Sequence, residues 1–134
     1  MLRLSKRVEY GLIAVRHMAS QPLGTVFTAK ELAEKLDTPY ELLAKVLQKL
    51  ARGGVVVSQQ GINGGYALAH RPEEITISLV IRTIEQERPM IAECYSDGPD
   101  SCSLFDNCTI RGPLEKIQRD IDQLFDKMTV LEIV

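Results

Sequence analysis

The spacing of apolar residues predicts a helix at the start of the chain. Between residues 6 and 20, apolar side chains recur every three or four positions, which is the period of one helix face. The residues on that face are Val8, Leu12, Val15 and Ala19, and Ile13 and Met18 widen it. Residues 21–24 contain a proline and a glycine, so we expect the helix to end there.

Two helix starts follow in quick succession. Residues 28–31 and residues 38–41 each begin with threonine and end with glutamate, the pattern of a capping box. In the second pattern Pro39 would take the first helical position, where a missing N–H group costs nothing. The first helix is expected to end near Leu36, and the longer second helix near Arg52. Two short helices joined by a tight turn indicate a helix-turn-helix. The inner face of the second helix is predicted to consist of Leu43, Val46, Leu47 and Leu50.

A β-hairpin is predicted directly after the second of these helices. Residues 55–57 and 66–68 are short strand-like runs on either side of a glycine-rich loop that contains Asn63-Gly64. A hairpin in this position is the wing of a winged helix-turn-helix. The fold class is therefore mainly α-helical with one small β-hairpin, and the winged domain is expected to occupy residues 1–76.

The second half of the chain is predicted to contain a connecting segment and a long helix. Ser78 can cap a helix that runs to about Gln86, and residues 88–109 lack periodicity and hold all three cysteines. From residue 112 to the C terminus, a heptad pattern consists of Leu114, Ile117, Ile121, Leu124, Met128 and Leu131. We therefore expect a connecting helix and cysteine loop over residues 77–109, and a long C-terminal dimerisation helix over residues 110–134. A helix packed on its own domain is the alternative explanation of this pattern.

Charge is distributed unevenly between the two halves. The net charge is −2, but residues 1–72 carry +5 and residues 73–134 carry −7. A basic first half favours a polyanionic partner such as double-stranded DNA, although chance segregation of solvated charges gives the same totals. No apolar run approaches the roughly 18 residues of a membrane span. Charged residues also interrupt the first apolar segment, so we expect a cytoplasmic protein without membrane contact.

The second helix of the predicted helix-turn-helix carries side chains suited to a major groove. Tyr40 and Glu41 lie on its first turn, where base edges are read. Its basic residues, which would meet phosphates, are Lys45, Lys49 and Arg52. The wing residues with polar groups suited to a minor groove are Gln59, Gln60 and Asn63. The predicted contact set also includes Thr28 and Gly64. Each of these residues, taken singly, is equally consistent with a solvated surface position.

The three cysteines form a compact set. Cys94, Cys102 and Cys108 lie within fifteen residues of irregular sequence, so three thiolates can converge on a soft metal or an iron–sulfur cluster. Structural zinc usually uses pairs of closely spaced cysteines, which this chain lacks. An odd number of cysteines in a cytoplasmic chain also disfavours a disulfide framework. A cluster is favoured on this chemistry, while redox-active thiols and zinc stay open.

Four parts of the chain resemble the Rrf2 family of bacterial transcription regulators. They are the opening residues 2–6 with Glu9-Tyr10-Gly11, the string 44–50, the wing 61–68 and the three-cysteine loop. The similarity covers essentially the whole chain, and its opening is most similar to regulators of iron–sulfur assembly operons. It implies a homodimer joined through the C-terminal helix, with one iron–sulfur cluster in each subunit whose state alters operator affinity.

The resemblance also implies a ligand set. The family's ligand cysteines correspond to Cys94, Cys102 and Cys108. Family members with an acid at the position of Glu9 use it as a ligand to the cluster of the partner subunit. Three cysteines and one carboxylate suit a 4Fe–4S cluster, with 2Fe–2S as the alternative. Some members have a histidine ligand where this chain has Arg111, and a wing arginine where it has Gln60, so neither of those features is expected here.

The sequence predicts a transcription regulator and not an enzyme. His17 and His70 have no cysteine or acid partner visible in the sequence, and no phosphate loop, serine-hydrolase or zinc-protease motif occurs. We expect a homodimeric repressor that binds a palindromic operator, takes no small-molecule substrate, and senses iron–sulfur status, iron, nitric oxide or redox stress. The alternatives are a cluster-free regulator that uses its cysteines as redox thiols or zinc ligands, and a winged-helix adaptor that binds protein.

Overall fold

Five helices and one antiparallel hairpin make up the part of the chain that this computed structural model describes, residues 3–92, 98, 100 and 102–134. The helices are α1 (Lys6–Ala19), α2 (Ala29–Leu36), α3 (Tyr40–Arg52), α4 (Ile77–Glu85) and α5 (Arg111–Lys127). The strands are β1 (Val56–Gln59) and β2 (Gly65–Leu68), and short 3₁₀ turns lie at Pro72–Glu74, Phe105–Asn107 and Val130–Ile133. The predicted fold class is confirmed. In these ranges, no helix has both the length and the apolar character to span a bilayer.

The core lies where α1, α3 and α4 meet. The predicted inner face of α3 is confirmed, because Leu43, Val46, Leu47 and Leu50 are all buried. α1 and α4 approach each other closely at Gly11, where an added Cβ would lie only 2.3 Å from the Ile84 side chain. A side chain at position 11 would therefore force the Ile84 side chain to move within the core. This contact gives a physical reason for a glycine in the opening segment.

The turn between α2 and α3 confirms one predicted capping box and contradicts the other. The Thr28 hydroxyl accepts a hydrogen bond from the Glu31 amide at 3.0 Å, and the Glu31 carboxylate accepts one from the Thr28 amide at 3.2 Å. Thr38 does not cap α3, whose N-cap is Pro39 without a side-chain cap. The reason is the tightness of the turn. The Thr38 amide is used to close α2 on the Ala33 carbonyl, and its buried hydroxyl has no hydrogen-bond partner among the described atoms.

The wing is attached to the segment that precedes α2. In the hairpin Val56 pairs with Leu68 and Gln59 pairs with Gly65, as expected for two strands around a short loop. Phe27 adds a bridge to Tyr66, with amide-to-carbonyl distances of 2.8 and 2.7 Å. An added Cβ at Gly65 would lie 2.4 Å from the Phe27 carbonyl oxygen. Only glycine permits this close approach, which holds the wing beside the start of α2.

The N-cap of α4 lies two residues before the predicted cap. The Thr76 hydroxyl accepts a hydrogen bond from the Leu79 amide at 3.1 Å and is the N-cap, whereas Ser78 lies inside the first turn and is buried. The tertiary structure decides between these two hydroxyl residues. Thr76 is held in an extended conformation by a bridge to Thr129, and an extended residue is what an N-cap requires.

The C-terminal helix is shorter than predicted. α5 ends at Lys127, and the chain then turns back onto the winged domain. The amides of Ile77 and Val130 donate to the carbonyls of Met128 and Ile75, at 2.9 and 2.8 Å, and Val130 is fully buried. Burial of Val130 and this backbone pairing outweigh continuation of the helix. Met128 and Leu131 therefore do not extend the heptad seam, whose helical members are Leu114, Ile117, Ile121 and Leu124.

His17 is expected to make the stability of the winged domain depend on pH. Its Nε2 atom is buried without a hydrogen-bond partner among the described atoms, and its ring contacts the Phe27 ring edge-on, with 5.5 Å between centroids. Burial, and secondly the nearby Lys35 charge, lower the pKa of His17 from its usual 6.5. Below its usual pKa, His17 therefore binds a proton more readily in the unfolded chain than in the folded chain. We expect the free energy of unfolding to fall as pH falls below 6.5.

Measurement of the free energy of unfolding with denaturant, at a series of pH values on either side of 6.5, tests the expectation. His17→Phe should lose this part of the pH dependence, and His70→Gln, at an exposed histidine, is the matched control. An unchanged pH dependence in His17→Phe would show that another group is responsible.

Candidate DNA-binding surface and cysteine loop

One face of α3 is polar and exposed. Glu41, Lys45, Gln48 and Arg52 follow one another at spacings of four, three and four residues and are all exposed. They lie opposite the buried face that anchors α3 in the core. Tyr40, the first residue of α3, is 54% exposed and lies beside the start of this face. We call the surface formed by Glu41, Lys45, Gln48 and Arg52 the outer face of α3. It presents carboxylate, ammonium, amide and guanidinium groups in a continuous row.

For Gln48 and Lys49, the structure differs from the contact set predicted from the sequence. Gln48 was missed, although helical spacing from Glu41 and Lys45 is a signal that could have found it. Lys49, predicted to meet a phosphate, is half-buried, and its ammonium donates to the Ile84 carbonyl at 3.0 Å. Its position on the flank of α3, towards α4, explains this contact. Of the three predicted basic contacts, Lys45 and Arg52 remain directed to solvent.

The wing presents polar groups and one apolar side chain. Gln59, Gln60 and Asn63 are exposed, as a contact surface requires. Gly64 serves the turn itself, since an added Cβ would lie 2.4 Å from the Gln59 carbonyl oxygen. Ile62 is fully exposed at the tip and was not predicted. A Gly65 Cβ would also lie 3.1 Å from the Thr28 amide nitrogen, so the base of the wing lies beside the N terminus of α2.

The cysteine loop is closed at one end by Arg111. Cys102 and Cys108 are half-buried free thiols on either side of the 3₁₀ turn Phe105–Asn107, and Cys94 lies outside the described residues. The Phe105 amide donates to the Cys102 carbonyl at 3.2 Å. The Arg111 guanidinium donates to the Phe105 carbonyl at 2.6 Å and lies 4.2 Å from its ring centroid. Arg111 thus orders the backbone between two cysteines, at the position where some family members carry a histidine ligand.

The described residues of a single chain do not complete a metal site. No three histidine, cysteine, aspartate or glutamate side chains converge on a metal position within them. Glu9, at the start of α1, is 45% exposed and forms an ion pair with Lys6 at 3.1 Å, and within one chain it does not form a three-residue cluster with Cys102 and Cys108. Two half-buried free thiols are nevertheless soft donors of the type that hold iron–sulfur clusters. The chemistry of this donor set fits such a group.

Gln118 anchors the other end of the cysteine loop on α5. It is only 2% exposed, in a helix most of whose other polar residues are exposed. Its amide nitrogen donates to the Pro89 carbonyl at 2.8 Å and to the Asp122 carboxylate at 2.9 Å, and its amide oxygen accepts from the Ile91 amide at 2.9 Å. Arg88 forms an ion pair with Asp122. Three of these interactions, those of Arg88, Pro89 and Ile91, fix residues 88–91 to α5.

These elements define a winged helix-turn-helix protein with an appended cysteine loop and long helix. Residues 4–134 match the family model described as Rrf2, iron-dependent transcriptional regulator. The chain belongs to the Rrf2 family of transcriptional regulators. The resemblance stated from the sequence is confirmed.

Individual relatives agree with this assignment. The transcriptional regulator NsrR of Shouchella clausii is 29% identical over 133 residues, which cover 99% of this chain and 89% of that protein. Among solved structures, CymR, the global cysteine regulator of B. subtilis, has a TM-score of 0.76 at 22% identity and covers 99% of this chain and 96% of its own. T. potens IscR has a TM-score of 0.67 at 23% identity, with 98% and 85% covered. At these identities the two structures support the fold.

Proposed function

We propose that the protein is a homodimeric repressor that binds a palindromic DNA operator in the cytoplasm and changes its affinity with the state of an iron–sulfur cluster. The observation that carries DNA binding is the outer face of α3 beside a wing, in a chain of the Rrf2 family. A recognition helix needs an exposed face with base-reading groups near its N terminus and cations along it. Tyr40 and Glu41 can serve the first need, and Lys45 and Arg52 the second.

The salt dependence of operator binding tests this proposal. Each phosphate that a cation neutralises contributes about −0.9 to the slope of log affinity against log salt concentration. Arg52→Ala should therefore make the slope shallower by about 0.9 per subunit on any sequence. Glu41→Ala should leave the slope nearly unchanged and alter base preference, since a carboxylate accepts from cytosine N4. Fluorescence anisotropy over a salt series, with operators mutated one base pair at a time, separates these effects. A wild-type slope near zero would contradict DNA binding through these residues.

Dimerisation through α5 is the second part of the proposal. On this helix Ile117 is 48% exposed and Leu124 is 55% exposed, and Ile110 continues the same apolar row just before its start. Leu114 and Ile121 lie between them and are half-buried. A row of large apolar side chains at heptad spacing is the arrangement by which helices pair. A second copy of the chain is the occupant that a two-fold symmetric operator requires.

Cluster binding by the cysteine loop is the third part. Cys94, Cys102 and Cys108 would supply three thiolates, and Glu9 of the partner subunit would supply the fourth donor. The cluster would contribute a redox-active and oxidant-sensitive group that couples an environmental signal to the loop. A 4Fe–4S cluster is favoured because its four irons match three thiolates and one carboxylate, and a 2Fe–2S cluster is the alternative. The family description as iron-dependent supports an iron-containing group.

The half-buried free thiols of Cys102 and Cys108 also suit a second candidate function. In this alternative the cysteines act directly as redox thiols or bind zinc. Anaerobic purification followed by measurement of iron, acid-labile sulfide and zinc distinguishes the three possibilities. Stoichiometric sulfide is expected for a cluster, whereas zinc without sulfide, or neither, would favour the alternatives.

A further inference from the structure

Lys49 forms a hydrogen bond with the end of α4. Ile84 lies in the last turn of α4, where a carbonyl has no amide partner within its own helix. The Lys49 ammonium donates to that carbonyl at 3.0 Å from a half-buried position. A cation at a helix C terminus also interacts favourably with the helix dipole. Movement of Lys49 to a phosphate would leave the Ile84 carbonyl without this donor.

The same end of α4 is connected to the start of α1. The Glu85 carboxylate accepts a hydrogen bond from the Ser5 hydroxyl and one from the Arg7 guanidinium, the latter at 3.2 Å. At the end of α3, an added Cβ at Gly53 would lie 2.3 Å from the Thr83 side chain. The C terminus of α4 is therefore in close contact with the recognition helix α3 and with α1.

The chain that leaves α4 leads directly to the anchor on α5. Only three residues separate Glu85 from Pro89, whose carbonyl accepts from Gln118, and Arg88 pairs with Asp122. A short segment is thus held by α3 at one end and by α5 at the other. Gln118 lies seven residues beyond Arg111, which closes the cysteine loop. Polar contacts thus link α3 to the end of α4, and residues 88–91 to α5, and the chain between Ile84 and Arg88 connects the two sets.

We propose that Lys49 is a positioning residue, not a phosphate contact: it sets α3 against the end of α4 and links operator affinity to the cysteine loop through residues 84–91. This inference rests on the proposed function. A change in the loop that shifts the anchored segment on α5 would move the Ile84 carbonyl, and Lys49 would carry that shift to the outer face of α3. Coupling of this kind appears as a difference in operator affinity between two states of the loop.

A comparison of Lys49→Met with Lys45→Met tests the proposal. Both substitutions remove one charge and keep a flexible apolar stem, but Lys45 is exposed on the outer face of α3. Operator affinity of the full-length dimer would be measured over a salt series, in the form purified anaerobically and in the metal-free reduced form. Lys45→Met should make the salt slope shallower by about 0.9 per subunit and keep the affinity ratio between the two forms. Lys49→Met should keep the wild-type slope while the ratio falls towards one.

The outcomes separate this inference from the function on which it rests. Salt-independent binding by the wild type would contradict DNA recognition itself, and equal affinity of the two wild-type forms would contradict sensing. If the two wild-type forms bind equally, the salt slopes of Lys49→Met and Lys45→Met still decide whether Lys49 contacts phosphate. A slope for Lys49→Met that matches Lys45→Met, or a wild-type affinity ratio in Lys49→Met, would overturn the proposal. If Lys49→Met does not fold, Lys49→Gln removes the same charge and is compared in the same way.

Discussion

Ile117→Asp is expected to convert the dimer into monomers and to abolish high-affinity operator binding. Ile117 is half exposed in the single chain, so an aspartate there is solvated in the monomer and does not disturb the winged domain. In the dimer it would place an unpaired carboxylate in an apolar seam, at a cost of several kcal/mol. Because about 1.4 kcal/mol corresponds to a factor of ten, the dimer dissociation constant should rise by about a hundredfold or more.

Sedimentation velocity and operator titration measure the two consequences of this substitution. Gln123→Asp is the matched control, since it adds the same charge at an exposed position of α5 outside the apolar row. The control should remain dimeric and bind the operator as the wild type does. If Ile117→Asp stays dimeric, another surface joins the subunits and the exposed row on α5 has a different role.

Cys102→Ser should abolish the cluster and fix operator affinity at the cluster-free value. Loss of one of three thiolates removes a soft ligand that a hydroxyl does not replace. The substitution is nearly isosteric, and Cys102 is only half-buried, so the winged domain should remain folded. Iron and acid-labile sulfide after anaerobic purification report the cluster, and operator titration reports the regulatory state. Ser103→Ala, at the exposed neighbouring residue, is the control and should retain both.

Glu9→Ala in the same experiment tests the proposed fourth ligand. A carboxylate is a harder donor than a thiolate, so its loss should leave a cluster that forms but has an altered spectrum and decays faster. Lys6→Ala removes the ion-pair partner of Glu9 and controls for the loss of that pair. Full sulfide in Cys102→Ser would contradict thiolate ligation at that position. A wild-type spectrum and lifetime in Glu9→Ala would place the fourth ligand elsewhere.

The sequence by itself determined those elements whose causes are local. The period of apolar residues in α3 reports which face must be buried, and this face is the same in any compact arrangement of the chain. In α1 the same period identifies the buried Val8, Val15 and Met18, but Ile13, which was predicted to widen that face, is 40% exposed. The capping box of α2 involves only Thr28 and Glu31, three residues apart. Two strands around a glycine-rich loop that contains Asn63-Gly64 predict a hairpin for the same reason. The order of these elements was enough to predict a winged helix-turn-helix.

The tertiary structure decided where α5 ends and which residue caps α4, because both depend on contacts between residues that are distant in sequence. α5 ends at Lys127 because Val130 is buried and pairs with Ile75, a contact that heptad spacing does not encode. Thr76, not Ser78, caps α4 because Thr129 holds it extended.

The same physical reason applies at the candidate site. Helical spacing alone gives Lys49 an exposed position on a basic helix, but the free carbonyl of Ile84 at the end of another helix binds its ammonium. Gln118 is polar in sequence and buried in structure, because three hydrogen bonds with groups of residues 89, 91 and 122 satisfy its amide. Local patterns identify which chemical groups a chain carries. Which of those groups remain available for DNA or metal depends on partners that only the fold brings near.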